Sequence, residues 1–172
     1  MDNTLEQLSA RVGEALTRKG WMLGTAESCT GGWIAEVVTA TAGSSTWFDR
    51  GFITYSNAAK IDMLDVGTGT LAAHGAVSEA TVAEMAAGAI KHSLASITVA
   101  VSGIAGPGGG SAAKPVGTVC IATALRRGDV FPTTRHFDGD REAVRRQTVI
   151  AALEEVLRFT DSDSSISASS VP

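Results

Sequence analysis

Hydrophobic residues recur along the chain at two spacings, one typical of helices and one typical of strands. Residues 4–20 place leucine and valine side chains three or four positions apart and end in a glycine, which predicts an amphipathic first helix. Further helices are predicted over 29–40, 57–65, 78–93 and 140–159. Runs of β-branched and apolar residues predict strands over 21–26, 51–56, 96–103, 116–125 and 129–137. Because helices and strands alternate through most of the chain, the pattern predicts a three-layer α/β sandwich around a mostly parallel sheet.

Two of the connections between predicted elements have residues that indicate their structure. Ser28 is a candidate N-cap for the helix over 29–40, which would then contain Gly31 and Gly32 in its first turn. Glycine weakens a helix by roughly 1 kcal/mol relative to alanine, so these two residues need another reason. The turn residues 126–129 predict an antiparallel hairpin between the last two strands.

Composition and charge restrict the class of protein. The chain has 172 residues, 44% of them hydrophobic, so we expect one domain over 1–159 and a Ser-rich, disordered tail over 160–172. The formal charge of -4 argues against a nucleic-acid partner, because such proteins usually carry a basic face. No apolar run approaches the ~20 residues of a membrane helix, and no signal peptide opens the chain. We therefore expect a cytoplasmic protein without a membrane partner, with Cys29 and Cys120 reduced.

Several motifs of known sites are incomplete in this chain. The glycines of residues 103–110 do not follow the order of a dinucleotide-binding loop, and no GK[ST] follows them as in a P-loop. Ser111 and Lys114 have the spacing of a Ser-x-x-Lys pair, but the glycines before them and Pro115 after them argue against the helical turn that this pair requires. The histidines are scattered, without an HExxH or similar pair, so we expect no metal site.

One group of polar residues is compatible with nucleophilic catalysis. Ser28 is predicted between a strand and the start of a helix, where backbone N–H groups lack partners and could hold an oxyanion. The glycines at 31 and 32 would let a substrate phosphate or oxyanion approach the backbone. No histidine can be placed near Ser28, so Lys60 and Tyr55 are the candidate bases. The structural alternative is that Ser28 caps a helix, Tyr55 belongs to the sheet and Lys60 is solvated.

Four blocks of sequence, in order between about Gly20 and Leu157, resemble one known family. They are TAESCTGGWIAEVVTATAGSSTWFDRGFITYSNAAK, GAVSEATVAEMA, VSGIAGPGGGSAAKPVGTV and DREAVRRQ. The chain resembles the C-terminal domain family of the competence-damage-inducible protein CinA, the nicotinamide-nucleotide amidohydrolases. The resemblance implies a three-layer α/β/α fold with a five-stranded mixed sheet. It also implies hydrolysis of the carboxamide of nicotinamide mononucleotide to nicotinate mononucleotide and ammonia, without a metal or organic cofactor. Longer members carry an N-terminal domain resembling molybdopterin-binding proteins. This sequence has no counterpart of that domain, so we expect a stand-alone form.

The resemblance also implies roles for individual residues. The family's catalytic serine, tyrosine and lysine fall on Ser28, Tyr55 and Lys60, the same residues that the pattern selects. We expect neutral Lys60, assisted by Tyr55, to take the proton of Ser28, which attacks the carboxamide carbon while backbone N–H groups hold the oxyanion. Glu27 is expected either to orient Lys60 or to form a salt bridge elsewhere.

Substrate-binding residues are expected around this serine and on the last helix. The phosphate of the substrate needs hydrogen-bond donors, which glycine amides, hydroxyls and arginines supply. Arg141 and Arg145 are four residues apart and share one helix face, whereas Arg146 can pair with Glu142. Ser102 stands where many relatives have threonine, and it keeps the hydroxyl. The expected substrate-binding residues are Glu27, Thr30, Gly31, Gly32, Ser44, Ser102, Gly103, Gly106, Arg141 and Arg145.

Two other function classes stay open at this stage. A thiol hydrolase would use Cys29 instead of Ser28, since side chains one position apart on a helix point about 100° apart and cannot serve the same site. A non-catalytic nucleotide-binding or partner module of a competence or DNA-damage pathway would bind its ligand without turnover. For each class we expect a homo-oligomer, such as a dimer, because α/β domains of this size commonly dimerise.

Overall fold

A mixed sheet runs through the centre of the computed structural model, which describes residues 2–167. Its five strands are β1 (Leu23–Glu27), β2 (Phe48–Ile53), β3 (Ile97–Gly103), β4 (Thr118–Leu125) and β5 (Val130–His136). The α-helices of the described residues are α1 (Asn3–Lys19), α2 (Trp33–Thr39), α3 (Asn57–Leu64), α4 (Thr68–His74), α5 (Glu79–Lys91) and α6 (Arg141–Ser167). No helix in this part of the chain is long and apolar enough to cross a bilayer.

The strand order is β2-β1-β3-β4-β5, with β1 at the centre of a parallel triplet. β1 pairs in parallel with β2 and with β3, whereas β4 is antiparallel to both β3 and β5. Four of the five strands therefore point the same way, which confirms the predicted mixed sheet and the hairpin of β4 and β5. In this register Glu27, the last residue of β1, lies beside Ile53 of β2 and Val101 of β3. The residues that follow these three strands therefore meet at one edge of the sheet.

The two faces of the sheet carry side chains of different size. On one face β3 contributes Ile97, Val99 and Val101 to a core of large aliphatic residues shared with α1, α2 and α6. On the other face β3 and β4 present mainly alanines to α5, which packs close enough for Thr98 to donate a hydrogen bond to the Ala86 carbonyl at 2.8 Å. Small residues here permit the close approach of α5, as its many alanines suggest. The result is the predicted three-layer arrangement.

The segment between β1 and α2 differs from the prediction. α2 begins at Trp33 with Gly32 as its N-cap, so Ser28 is not a helix cap. Gly31 and Gly32 precede the helix with φ values of 61° and 103°, in the left-handed region that favours glycine. They therefore form a turn between strand and helix instead of weakening a first helical turn.

Three further differences concern element boundaries. α4 has no counterpart among the predicted elements. Tyr55 lies outside β2, because this strand starts and ends earlier than the pattern suggests. α6 continues to Ser167, into the segment 160–172 for which we expect disorder, and Thr160 is buried at 1% exposure. The folded part therefore includes Thr160, while residues 168–172 lie outside the described part of the chain.

Candidate active site

The predicted catalytic residues meet in a cleft at the edge of the sheet where β1, β2 and β3 end. Ser28 follows β1 directly, Tyr55 comes two residues after β2, and Lys60 lies in the first turn of α3, which Ser56 caps by accepting a hydrogen bond from the Ala59 amide. The cleft has a volume of about 270 Å³. Its lining residues are Ser28, Cys29, Tyr55, Lys60, Ala76, Val77, Ser102, Gly103, Ala105 and Arg141. The carboxyl edge of parallel strands is the usual position of ligand sites in open α/β sheets.

Lys60 and Ser28 form a direct side-chain contact. The Lys60 Nζ donates to the Ser28 Oγ at 3.0 Å and to the Thr54 carbonyl at 2.8 Å, with a longer contact of 3.4 Å to the Tyr55 carbonyl. Lys60 is 1% exposed and Ser28 is 8% exposed. The pair is therefore shielded from water except through the cleft.

Burial lowers the pKa of the Lys60 amine below its ordinary value of 10.5. The hydrogen-bond acceptors of this amine are neutral oxygens, and no carboxylate among them compensates for the lost hydration of an ammonium. A lower pKa increases the fraction of neutral amine near neutral pH. Neutral amine is the form that can accept the proton of a serine hydroxyl.

Tyr55 contributes to the cleft in a different way from Lys60. Its side chain is 65% exposed, and its hydroxyl accepts a long hydrogen bond of 3.5 Å from the Arg141 NH2. The contact between Tyr55 and Lys60 is made by the backbone carbonyl of the tyrosine, not by the phenol. A proton can pass from Ser28 to Lys60 without a phenol between them.

Cys29 lines the same cleft but has the properties of a structural thiol. Its side chain is buried, and burial raises the pKa of the thiol to about 11. At neutral pH the thiol is therefore protonated, whereas a nucleophilic cysteine acts as the thiolate. The amine of Lys60 donates to the neighbouring Ser28. These features favour the serine over the cysteine as nucleophile.

Glu27 neither orients Lys60 nor forms a salt bridge, the two roles expected for it. Its carboxylate accepts hydrogen bonds from the Thr30 hydroxyl at 2.6 Å, the Ile34 amide at 2.8 Å and the Ala35 amide at 3.1 Å. Since Gly32 has no side chain, Glu27 caps α2 in its place. Glu27 and Thr30 are both buried, and the hydrogen bond between them occupies the Thr30 hydroxyl and one carboxylate oxygen of Glu27. The expected role of Glu27 and Thr30 in substrate binding stays a prediction, and Thr30 lines the cavity beside the cleft.

The two arginines of α6 share a face, as their spacing predicts, but they have different partners. Arg141 and Arg145 both line a cavity of about 510 Å³ beside the cleft, together with Gly31 and Gly32. Arg141 lines the cleft as well and donates from NH1 to the Gly106 carbonyl at 2.8 Å. The predicted pairing of Arg146 with Glu142 is wrong, because Arg146 binds Asp2 at 2.8 Å.

Arg145 is the more engaged of the two arginines. Its Nε donates to the Cys29 carbonyl at 3.1 Å, and its NH2 donates to the Thr30 carbonyl at 3.1 Å. The guanidinium carbon lies 5.4 Å from the centre of the Trp33 ring, within cation–π range. The donors of this side chain thus serve the turn that follows Ser28.

The remaining expected ligands divide between the two edges of the sheet. Ser102 and Gly103 line the cleft, and Gly106 supplies the carbonyl that holds Arg141. Ser44 lies in the short helical turn Ser44–Thr46 before β2, at the amino edge. The six residues of β2 span about 20 Å between that edge and the cleft. The structure therefore does not bring Ser44 to this site.

Sequence reasoning misses part of the cleft wall. Ala76 and Val77 follow α4, and Ala105 follows β3. These small apolar residues carry no chemical signal, and only the fold places them here. Within the described part of the chain there is no group of three or more His, Cys, Asp or Glu side chains that could hold a metal ion.

Known proteins with similar sequence share this fold. The family model described as the CinA C-terminal domain matches residues 5–160. The chain is 57% identical over 153 residues to the nicotinamide-nucleotide amidohydrolase PncC of Escherichia coli K12, covering 89% of this chain and 93% of that protein. It is 54% identical over 157 residues to the PncC of Enterobacter agglomerans, covering 91% and 96%.

A solved structure gives the same result at the level of the fold. The crystal structure of the competence/damage inducible protein CihA from Agrobacterium tumefaciens matches with a TM-score of 0.88 and 51% identity. The match covers 92% of this chain and 96% of that one. With a family match over most of its length and relatives above 50% identity, the chain belongs to the CinA C-terminal domain family.

Proposed function

We propose that this chain is a nicotinamide-nucleotide amidohydrolase that uses Ser28 as its nucleophile and Lys60 as its base. The observation that carries the proposal is the 3.0 Å contact between the Lys60 Nζ and the Ser28 Oγ inside a cleft. The names of the relatives at 54–57% identity supply the substrate, nicotinamide mononucleotide, and the reaction, loss of the carboxamide nitrogen. Burial lowers the pKa of Lys60 and so increases the fraction of neutral amine, which is the form that a general base requires.

The proposed reaction has two halves. Neutral Lys60 takes the hydroxyl proton of Ser28 while the Oγ bonds to the carboxamide carbon, whose oxygen becomes an oxyanion. The tetrahedral intermediate then breaks its C–N bond, and Lys60 returns the proton to the leaving nitrogen, which departs as ammonia. In the second half Lys60 takes a proton from water, the hydroxide attacks the ester carbon, and Ser28 leaves with its proton restored. The products are nicotinate mononucleotide and ammonia.

The backbone beside Ser28 offers two donors for the oxyanion. The Ser28 carbonyl accepts from the Gly31 amide at 3.1 Å, and the Cys29 carbonyl accepts from Arg145. The amides on the other side of these two peptide groups are those of Cys29 and Thr30, and neither donates to another residue in the described part of the chain. We assign these two amides to the oxyanion, since such donors act on the charge that develops in the transition state.

Arg141 is the proposed ligand of the substrate phosphate. It lies where the cleft meets the neighbouring cavity of about 510 Å³, so its guanidinium can reach a group that extends out of the cleft. One of its terminal nitrogens has only the 3.5 Å contact to the Tyr55 hydroxyl. A phosphate would replace this weak interaction with a charge-assisted one. Tyr55 lines the cleft beside Arg141.

Ammonia release from nicotinamide mononucleotide tests the proposal. The purified protein should release one ammonia for each nicotinate mononucleotide formed, and Ser28→Ala should abolish the release without loss of folding or of substrate binding. Cys29→Ser is the matched control on the adjacent residue and should keep most of the activity. Substrate binding without turnover by the wild-type protein would instead favour a non-catalytic nucleotide-binding module. Activity that survives Ser28→Ala and is lost in Cys29→Ser would make the cysteine the nucleophile.

A further inference from the structure

Two side chains form hydrogen bonds with the turn after Ser28. The Glu27 carboxylate accepts from the hydroxyl of Thr30 and from the first turn of α2. Arg145, which reaches across from α6, donates to the two carbonyls of the turn. We infer that Arg145 is a positioning residue that aims the oxyanion-binding amide of Thr30, and not a ligand of the substrate phosphate. This inference rests on the proposed function.

Peptide geometry links Arg145 to that amide. In a trans peptide the carbonyl and the N–H lie in one plane and point in opposite directions. The Cys29 carbonyl and the Thr30 N–H belong to the same peptide group, so the hydrogen bond from the Arg145 Nε at 3.1 Å sets the direction of the Thr30 N–H. The next peptide group is held at both ends: its Thr30 carbonyl accepts from Arg145 and from the Trp33 amide, each at 3.1 Å, and its Gly31 N–H donates to the Ser28 carbonyl. Within these two peptide groups, the Thr30 N–H is the donor without an acceptor among the described residues.

The turn needs such an external support because of its own composition. Gly31 and Gly32 have no side chains, and their left-handed φ values make the backbone conformation one that most residues rarely adopt. Rigidity at this point has to come from hydrogen bonds to the carbonyls. A guanidinium supplies two donors in a fixed plane, and its cation–π contact with Trp33 adds a further interaction that holds it in place. The spacing of the two donors matches two successive carbonyls, which a single ammonium cannot reproduce.

Arg141 and Arg145 therefore have separate tasks on one face of α6. Two of the Arg145 nitrogens are already bonded to the backbone beside Ser28. Arg141 is exposed, and only its NH1 is tightly bonded, to the Gly106 carbonyl at 2.8 Å. Loss of a positioning residue lowers kcat, whereas loss of a ligand that binds substrate and transition state equally raises KM. The two variants should thus change different kinetic constants.

The test compares Arg145→Met, Arg145→Lys and the control Arg146→Met by ammonia release from nicotinamide mononucleotide. Arg145→Met should lower kcat by about 100-fold, the cost of misplacing a reacting geometry, with KM within about threefold of the wild-type value. Arg145→Lys should recover part of the loss, because an ammonium can bind one of the two carbonyls. Arg146→Met removes the neighbouring cation, which pairs with Asp2 away from the cleft, and should leave both constants unchanged.

Binding separates this role from a general loss of structure. In the Ser28→Ala background, Arg145→Met should bind nicotinamide mononucleotide as tightly as Ser28→Ala alone, measured by calorimetry. A rise in KM with unchanged kcat, or weakened binding in that background, would overturn the inference and make Arg145 a phosphate ligand. Unchanged kcat in both Arg145 variants would overturn it as well. If the wild-type protein releases no ammonia, the proposed function itself fails and this role fails with it.

Discussion

Replacement of Lys60 by methionine is the most informative perturbation of the proposed mechanism. Methionine keeps an unbranched side chain of similar length but removes the amine that donates to Ser28 and to the Thr54 carbonyl. A positioned general base contributes about 10²- to 10⁴-fold to a rate, so kcat should fall by at least about 100-fold. Lys60→Arg should not rescue the activity, because a guanidinium keeps its proton near neutral pH.

The magnitude of the effect also depends on pH, through burial. A lysine with the ordinary pKa of 10.5 is neutral in only about one molecule in 3,000 at pH 7, and each unit by which burial lowers the pKa raises this fraction tenfold. The kcat/KM of the wild-type protein should therefore rise about tenfold per pH unit below the Lys60 pKa and level off above it.

The lowered pKa of Lys60 also affects the stability of the fold. The unfolded chain binds more protons than the native one between the lowered pKa and 10.5, so stability rises with pH in that window.

The assay measures both consequences on the same set of proteins. Ammonia release between pH 6 and 10 gives the rate profile, and denaturant unfolding at each pH gives the free energy of unfolding. Relative to Lys60→Met, the wild-type protein should gain stability as pH rises toward 10. Lys91→Met is the control, because it changes an exposed lysine that pairs with Asp65. It should leave the pH dependence of the rate unchanged. A flat rate profile, or a stability difference independent of pH, would refute a buried lysine that acts as the base.

Three other predictions concern the same site. Ser28→Ala combined with Lys60→Met should be hardly worse than either change alone, because members of one catalytic unit are not additive in kinetic measurements. Tyr55→Phe should lower kcat less than the lysine change, since the phenol has no hydrogen bond to Lys60, and an equal loss would make the phenol the base. Glu27→Gln places an amide donor against a donor of α2 and should lower the free energy of unfolding by about 1–3 kcal/mol in denaturant titrations, an effect that unchanged stability would contradict.

The sequence predicts the layers of the fold, and the proximity of Ser28, Tyr55 and Lys60, better than the details of the site. Alternating periods identify the strands, and parallel strands place their following residues at one edge, which is enough to bring Ser28, Tyr55 and Lys60 together. Local patterns do not identify where α2 begins, since TGGW is compatible with both a turn and a first helical turn. The prediction that Glu27 orients Lys60 or forms a salt bridge is wrong for this reason, because its hydrogen bonds go to amides seven and eight residues ahead.

Sequence patterns do not predict contacts between residues that are far apart in the chain. Arg145 lies 115 or more residues from the carbonyls that it binds, and its spacing from Arg141 indicates only a shared helix face. Ser44 has the right chemistry for a phosphate ligand but lies at the amino edge, because the chain crosses the whole sheet in β2 before it reaches the cleft. Chemical type is thus predictable from the residue alone, whereas its place in the site depends on the topology.

Burial connects the stability of the fold to the proposed chemistry. Lys60 loses hydration because α3 begins at Asn57, soon after β2 ends at Ile53, and buries the amine at the wall of the cleft. There the oxygens of Ser28 and Thr54 replace water without offering a negative charge. A carboxylate at this position would stabilise the ammonium and raise its pKa, and Glu27, the nearest acid in sequence to Ser28, is instead committed to the amides of α2. The cap on α2 and the low pKa of Lys60 are therefore two results of one arrangement. Moving the Glu27 carboxylate toward Lys60 would weaken both the helix start and the base.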